Sequence, residues 1–308
     1  MENTLLKELN KDQQQAVLHT DGPAIILAGA GSGKTRVLTY KVLYLVTEKH
    51  ISADNILMVT FTNKAAQEMK ERIVKYFAEH NIKTSTQPFV STFHSLCARI
   101  LRIEGKHIGL SPSFVIYDTL DQLDAIKEVM GQLFISTRDF KPGSILATIS
   151  QAKNELISEK EYPSFARGLF QQTVAKVYPV YQNLLKENDA LDFDDLLLKT
   201  VKLFQENENV LNKYQETFRY TLIDEYQDTN KVQYALTKLL AKKYNNVCVV
   251  GDFSQSIYSW RGADFQNLSR FKEDFENVKE FSLSQNYRST QKILDAASGV
   301  ISRNTMHP

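Results

Sequence analysis

The chain has 308 residues, 43% of them apolar and 24% charged, with a formal net charge of +1. That length admits two domains and part of a third, and near neutrality excludes a global basic field, so a nucleic acid would have to be gripped by a local groove. The two cysteines, Cys97 and Cys248, sit among apolar residues far apart in sequence, which argues against a disulfide framework or a cysteine metal site. No apolar run approaches the ~18 residues that span a bilayer, and residues 1–11 lack an export core, so the expectation is a cytoplasmic protein without membrane contact.

The first predicted element is a short helix over residues 11–17, capped by Asn10. Its Gln13 can both donate and accept, which suits an adenine edge; the same residues equally suit a polar surface helix. An apolar run, residues 24–27, then enters Ala28-Gly29-Ala30-Gly31-Ser32-Gly33-Lys34-Thr35 and a long amphipathic segment. Strand, glycine-rich loop and helix is the context of a phosphate cradle. Glycines let backbone N–H groups turn inward, the helix adds its positive end, Lys34 would reach the terminal phosphates, and Thr35 would sit on Mg²⁺. Ala28 stands where the pattern has its first glycine; the Gly-Lys-Thr core is intact.

Leu38, Val42, Leu45 and Val46 continue at helical spacing. A second strand, 56–60, runs into Phe61-Thr62-Asn63 and a helix with Ala66, Met69, Ile73 and Phe77 on one face; a third, 89–91, runs into Thr92-Phe93-His94. Strands alternating with helices argue for a parallel sheet covered on both faces, with ligands gathered at the carboxyl ends of its strands. From about 95 to 218 helical stripes dominate, such as Leu123, Ile126, Met130, Leu133 and Val174, Val177, Val180, Tyr181, punctuated by Pro112, Pro142, Pro163 and Pro179. Only a weak strand at 114–117 interrupts them, so this stretch reads as a helical insertion. Within it, Asp192 reads as an N-cap, with Asp194 and Asp195 in the first turn of the next helix, in preference to a metal cluster.

The sheet resumes at 220–223 and ends in Asp224-Glu225. An apolar strand ending so is what a phosphate loop requires: Asp224 would hold Mg²⁺, directly or through water, and Glu225 could polarise the water attacking the γ-phosphate. A further strand, 247–250, leads to Gln255, which could contact that phosphate or water, and on to Tyr258, Trp260 and Arg261. Rings at alternate positions beside an arginine make a platform for unpaired bases, although Trp260 alone reads as a core anchor. A last strand, 281–283, precedes Tyr287 and Arg288, and a helix over 292–301 follows.

Assembled, these residues resemble the UvrD/Rep/PcrA-like superfamily 1A DNA helicases over residues 9–301. Residues 9–17 match the Q motif, 28–36 motif I, 61–66 motif Ia, 92–99 motif Ib, 192–196 the family's DFDDLL element, 224–230 motif II, 251–264 motif III and 283–290 motif IV, and the family tolerates alanine at position 28. The resemblance implies an α/β fold: a RecA-like P-loop NTPase parallel sheet flanked by helices, with a mainly helical insertion domain. It implies residues 1–92 with 215–280 as motor domain 1A, 93–214 as insertion domain 1B, and 281–308 as the start of a truncated second motor domain 2A.

It further implies ATP and Mg²⁺ as cofactors, with residues 28–36 around the phosphates, Gln13 and Arg36 on the adenine side and Tyr287 stacking on the base. Gln255 would sense the γ-phosphate, and Arg288 would serve as an arginine finger. Phe61, Phe193, Tyr258 and Trp260 would stack on single-stranded bases, with Asn63, Thr92, His94 and Arg261 contacting the strand. The partners implied are single-stranded DNA and single-strand/duplex junctions, with movement 3′ to 5′. Motifs V and VI of the family do not occur, so the expectation is an N-terminal piece of a longer helicase that binds nucleotide weakly and does not unwind DNA alone. The rival expectation is a non-motor module that uses ATP as a switch to bind nucleic acid or protein.

Overall fold

The computed structural model describes residues 4–256, 262–264 and 266–303; Tyr258, Trp260 and Arg261 lie outside the described residues. The strands are β1 (Ala24–Ala28), β2 (Ile56–Thr60), β3 (Phe89–Thr92), β4 (Val115–Tyr117), β5 (Ala190–Asp192), β6 (Tyr220–Ile223), β7 (Val247–Gly251) and β8 (Lys279–Leu283). Six of them form one parallel sheet in the order β3-β2-β6-β7-β1-β8. The central strands β2, β6 and β7 are buried at every position, as a parallel sheet covered by helices requires. Because every strand runs the same way, the residues following β1, β2, β3, β6, β7 and β8 emerge along one edge.

The chain divides into two compact units, one comprising Met1–Phe93, Asn212–Thr229 and Thr237–Pro308, the other His94–Leu211 with Asn230–Leu236. The first holds the six-stranded sheet. Residues 281–283, which the sequence reading places at the start of a second motor domain, lie in β8, whose register pairs Ile26 with Phe281 and Ala28 with Leu283. The helix Asn63–Glu79 buries Ala66, Met69, Ile73 and Phe77, the face its spacing predicts. The helix Lys34–Thr47 is buried more widely than its apolar stripe predicts, including Thr39, Tyr40 and Lys41. Lys41 is accommodated because its ammonium donates to the Ala16 carbonyl at 3.0 Å and to the His19 carbonyl, at the C-terminal end of the helix Lys11–Leu18. Cations are favoured at that end, and burial still lowers the Lys41 pKa.

The second unit is mainly helical. Ile126, Val129, Met130, Ile145, Ile149, Val174, Val177, Tyr178 and Tyr181 form its core. Pro142 opens the helix Pro142–Asn154, where a missing N–H costs nothing. Pro179 behaves otherwise than predicted: the helix Gly168–Glu187 runs through it. Val177, Tyr178 and Tyr181 on either side are fully buried, and that packing outweighs the one hydrogen bond the ring removes. The weak strand at 114–117 becomes β4, paired in parallel with β5, a three-residue strand too short to announce itself in sequence.

Candidate nucleotide and nucleic-acid site

The loop after β1 is shaped by two left-handed glycines, Gly31 at φ 77° and Gly33 at φ 90°, a region that penalises a Cβ. Ser32 closes the turn, its N–H donating to the Gly29 carbonyl at 3.2 Å and its hydroxyl to the same oxygen at 2.7 Å. Gly33 caps the helix Lys34–Thr47 without a side chain, so the first-turn N–H groups and the dipole face the loop. Close approach needs these glycines too. A Cβ on Gly31 would lie 2.5 Å from the Cβ of Arg288, and one on Gly33 would lie 2.8 Å from Nε2 of Gln13.

Residues remote in sequence converge on this loop. The Lys34 ammonium lies 2.9 Å from Glu225 Oε2 and 3.5 Å from Gln255 Oε1. The Thr35 hydroxyl donates to Asp224 Oδ2 at 3.3 Å. Asp224 is set by the sheet: its N–H donates to the Val59 carbonyl at 2.9 Å, extending the β2–β6 ladder by one residue. Burial, then the adjacent Glu225 carboxylate, push the Asp224 carboxyl up to about 6, with Lys34 pulling the other way. Glu225 itself holds φ 51°, unusual for a residue with a side chain.

The donor set fits a hard cation. A hydroxyl and a carboxylate share one oxygen-lined spot, and Mg²⁺ is commonly held by one or two carboxylates completed by water and phosphate oxygens. Among the described residues no group of three or more His, Cys, Asp and Glu side chains offers an all-protein cage.

One functional link was not singled out from sequence. Gln227 donates to Glu225 Oε2 at 2.9 Å and accepts from the Asp252 N–H at 3.0 Å, and Asp252 in turn accepts from the Gln255 amide. The turn after β6 is thereby tied to the turn after β7. The signal available was Gly251, where a Cβ would lie 2.9 Å from Gln227 Oε1.

On the other side of the loop, Gln13 is buried and its carboxamide is committed: Oε1 accepts from the Asn10 N–H at 3.2 Å and Nε2 donates to the Ser32 carbonyl at 3.0 Å. Arg36 turns toward the N-terminal segment, donating to the Glu8 carbonyl at 2.9 Å and to Glu8 Oε2 at 3.2 Å. Tyr287 is 58% exposed, yet tethered at both ends. Its N–H donates to the Gly31 carbonyl at 2.9 Å and its hydroxyl accepts from Asn10 Nδ2 at 2.7 Å. Asn286 donates to the Ala30 carbonyl and accepts from the Arg288 N–H at 2.8 Å, which seats Arg288 against Gly31. Asn10, Glu8 and Asn286 thus support the site without having been expected to.

The residues predicted to meet a DNA strand fall in both units. In the first, Phe61 and Asn63 follow β2, and the Thr92 hydroxyl donates to Asn63 Oδ1 at 3.4 Å across the parallel pair β2–β3. In the second, His94 and Phe193 meet edge to face, ring centres 6.0 Å apart and planes at 82°, with Phe193 46% exposed. A large half-exposed ring is out of place in a core and suited to stacking.

Comparison with known proteins agrees with this arrangement. The family model "UvrD/REP helicase N-terminal domain" matches residues 9–276. The chain is 50% identical over 303 residues to the ATP-dependent DNA helicase PcrA of Bacillus subtilis (strain 168), an alignment covering 98% of this chain and 40% of the relative. It is 49% identical over 304 residues to the ATP-dependent DNA helicase PcrA of Staphylococcus epidermidis, covering 98% and 41%, and 48% identical over 303 residues to that of Staphylococcus aureus, again covering 98% and 41%. The chain therefore spans about 40% of the length of the curated relatives it matches. With a RecA-like parallel sheet, a P-loop after β1 and an Asp-Glu turn after β6, the chain belongs to the UvrD/Rep helicase N-terminal domain family.

Proposed function

We propose that these residues form the ATP- and single-strand-binding part of an ATP-dependent DNA helicase that moves 3′ to 5′. The observation that carries the reading is the meeting of Lys34 with Glu225 and of Thr35 with Asp224, two pairs that sequence alone leaves nearly two-thirds of the chain apart. The first unit acts as motor domain 1A and the second as insertion domain 1B; residues beyond β8 begin the approach to a second motor domain.

In this reading the N–H groups of residues 29–35 and the Lys34 ammonium bind the β- and γ-phosphates. Thr35 and Asp224 would hold Mg²⁺, which would supply positive charge beside the phosphate oxygens. Glu225, released from Lys34 when phosphate oxygens take its place, accepts a proton from the attacking water. Gln255 senses the γ-phosphate and passes its state through Asp252 and Gln227 to the turn after β6. Tyr287 stacks on the base, Gln13 and Arg36 line the adenine side, and Arg288 stabilises charge on the transferring phosphoryl group. Phe61, Asn63, Thr92, His94, Phe193, Tyr258, Trp260 and Arg261 grip a single strand or a single-strand/duplex junction by stacking and backbone contact, with little reading of sequence.

Titration of this chain with a fluorescent ATP analogue, with and without Mg²⁺, tests the nucleotide half; a labelled oligothymidylate tests the strand half. Mg²⁺-dependent binding that disappears in Lys34→Ala is the expected result, and equal binding by parent and variant refutes the assignment.

A further inference from the structure

Lys153 has no role in the site just described, yet it is one of the most completely buried side chains in the second unit. Its ammonium lies 2.6 Å from Asp192 Oδ2 and 3.0 Å from Asp195 Oδ1, with side-chain exposures of 0%, 2% and 1% for the three residues. The Tyr181 hydroxyl donates to Asp192 Oδ2 at 3.0 Å, and Gln182 donates to Asp195 Oδ1 at 3.1 Å. The neighbour of Lys153 completes the grip: Asn154 donates to Asp194 Oδ1 at 3.1 Å and accepts from the Asn230 amide. Two consecutive residues ending the helix Pro142–Asn154 therefore hold all three carboxylates of Asp192-Phe193-Asp194-Asp195. Phe193, the remaining member, projects half-exposed against His94.

A buried ion cluster is weak grounds for stability, since well-packed apolar residues often serve as well. Nor does the helix Phe193–Glu206 need Lys153 in order to begin. Asp192 and Asp195 already form a capping box, with the Asp195 N–H donating to Asp192 Oδ1 at 2.8 Å. Tyr181 and Gln182 each tie one carboxylate of the capping box to the helix Gly168–Glu187. Slippage by one residue would turn the first side chain by about 100° around the helix axis, taking Phe193 off His94. Lys153 joins both carboxylates at once to the helix Pro142–Asn154, and its single ammonium reaches both only in the register that brings them to one point.

We infer that Lys153 is a positioning residue for nucleic-acid binding, fixing the start of the helix Phe193–Glu206 so that Phe193 and His94 present one paired aromatic face to a single strand. The inference rests on the reading of those two rings as strand contacts.

The test is a double-mutant cycle on this chain with Lys153→Met, Phe193→Ala and the pair, measuring affinity for a fluorescein-labelled oligothymidylate, nucleotide affinity and the His94 ring proton signals by NMR. Lys153→Met should weaken the oligonucleotide about tenfold, the order of one lost base–ring stack, and should add nothing in the Phe193→Ala background. Nucleotide affinity should stay that of the parent, and the His94 signals should lose the ring-current shift that Phe193 imposes. A folded Lys153→Met with parent-like affinity and an unmoved His94 signal overturns the inference while leaving the strand reading intact. Parent-like binding by Phe193→Ala overturns the strand reading and the inference with it. If Lys153→Met does not fold, Asp195→Asn decides by the same measurements, with an expected loss of about threefold on the same stacking scale and with no change refuting the role.

Discussion

Asn10 and Tyr287 stand 277 positions apart and meet side chain to side chain, the Asn10 amide donating to the Tyr287 hydroxyl over 2.7 Å. The other end of the same amide, Oδ1, accepts from the Gln13 N–H at 2.9 Å and caps the helix Lys11–Leu18. One small side chain thus sets both the start of the helix that carries Gln13 and the tilt of the ring beside the P-loop.

Asn10→Ala should cost about 1 kcal/mol of stability, the worth of a helix cap, and should weaken nucleotide binding several-fold. Asn10→Ser separates the two effects, since serine caps but is too short to reach Tyr287. It should melt like the parent in a thermal scan and still bind a fluorescent ATP analogue more weakly. Parent-like binding by the serine variant would remove Asn10 from the site.

The Lys34 ammonium is set against both Glu225 and Gln255. Charged hydrogen bonds of this kind are worth about 1.5–3 kcal/mol, so Lys34→Ala should weaken ATP binding roughly 10- to 100-fold. Isothermal titration in the presence of Mg²⁺ reads this directly.

Gly33→Ala and Gly109→Ala form a matched pair. Both glycines are left-handed, at φ 90° and φ 74°, but a Cβ on Gly33 would strike the Gln13 amide at 2.8 Å whereas one on Gly109 meets nothing within 4 Å. Backbone strain alone costs about 1–2 kcal/mol, so denaturant unfolding should show that loss at Gly109 and a larger one at Gly33. Only Gly33→Ala should also lose nucleotide binding.

The Asp192 carboxyl is pushed up to about 6, first by burial and then by Asp195, against the pull of Lys153. A raised carboxyl means that the folded chain takes up a proton between about pH 4 and 6 that the unfolded chain does not. The contribution of this group is therefore fully present below about pH 4 and is lost as pH rises through 6. Asp192→Asn lacks that proton, so the stability difference between variant and parent should move in the variant's favour from pH 4 to pH 7. Urea titrations at the two pH values measure the difference; a gap independent of pH would contradict the assignment.

The order of elements was written locally. Apolar runs alternating with helical stripes announced the parallel sheet. Gly31, Gly33, Lys34 and Thr35 announced the phosphate loop, and Asn10 and Asp192 announced the helix starts at which they are found, because caps and turns depend on a few adjacent residues. What lay beyond the sequence were pairings between remote residues. Those include the insertion of β8 beside β1, the pairing of β4 with β5, and the passage of a helix through Pro179. The Gln227 bridge, the Asn10–Tyr287 tether and the lodging of Lys153 between two aspartates belong with them. Each depends on which surfaces the packed core brings within hydrogen-bond reach. A lysine or an asparagine carries no mark of its partner until burial removes water as the alternative.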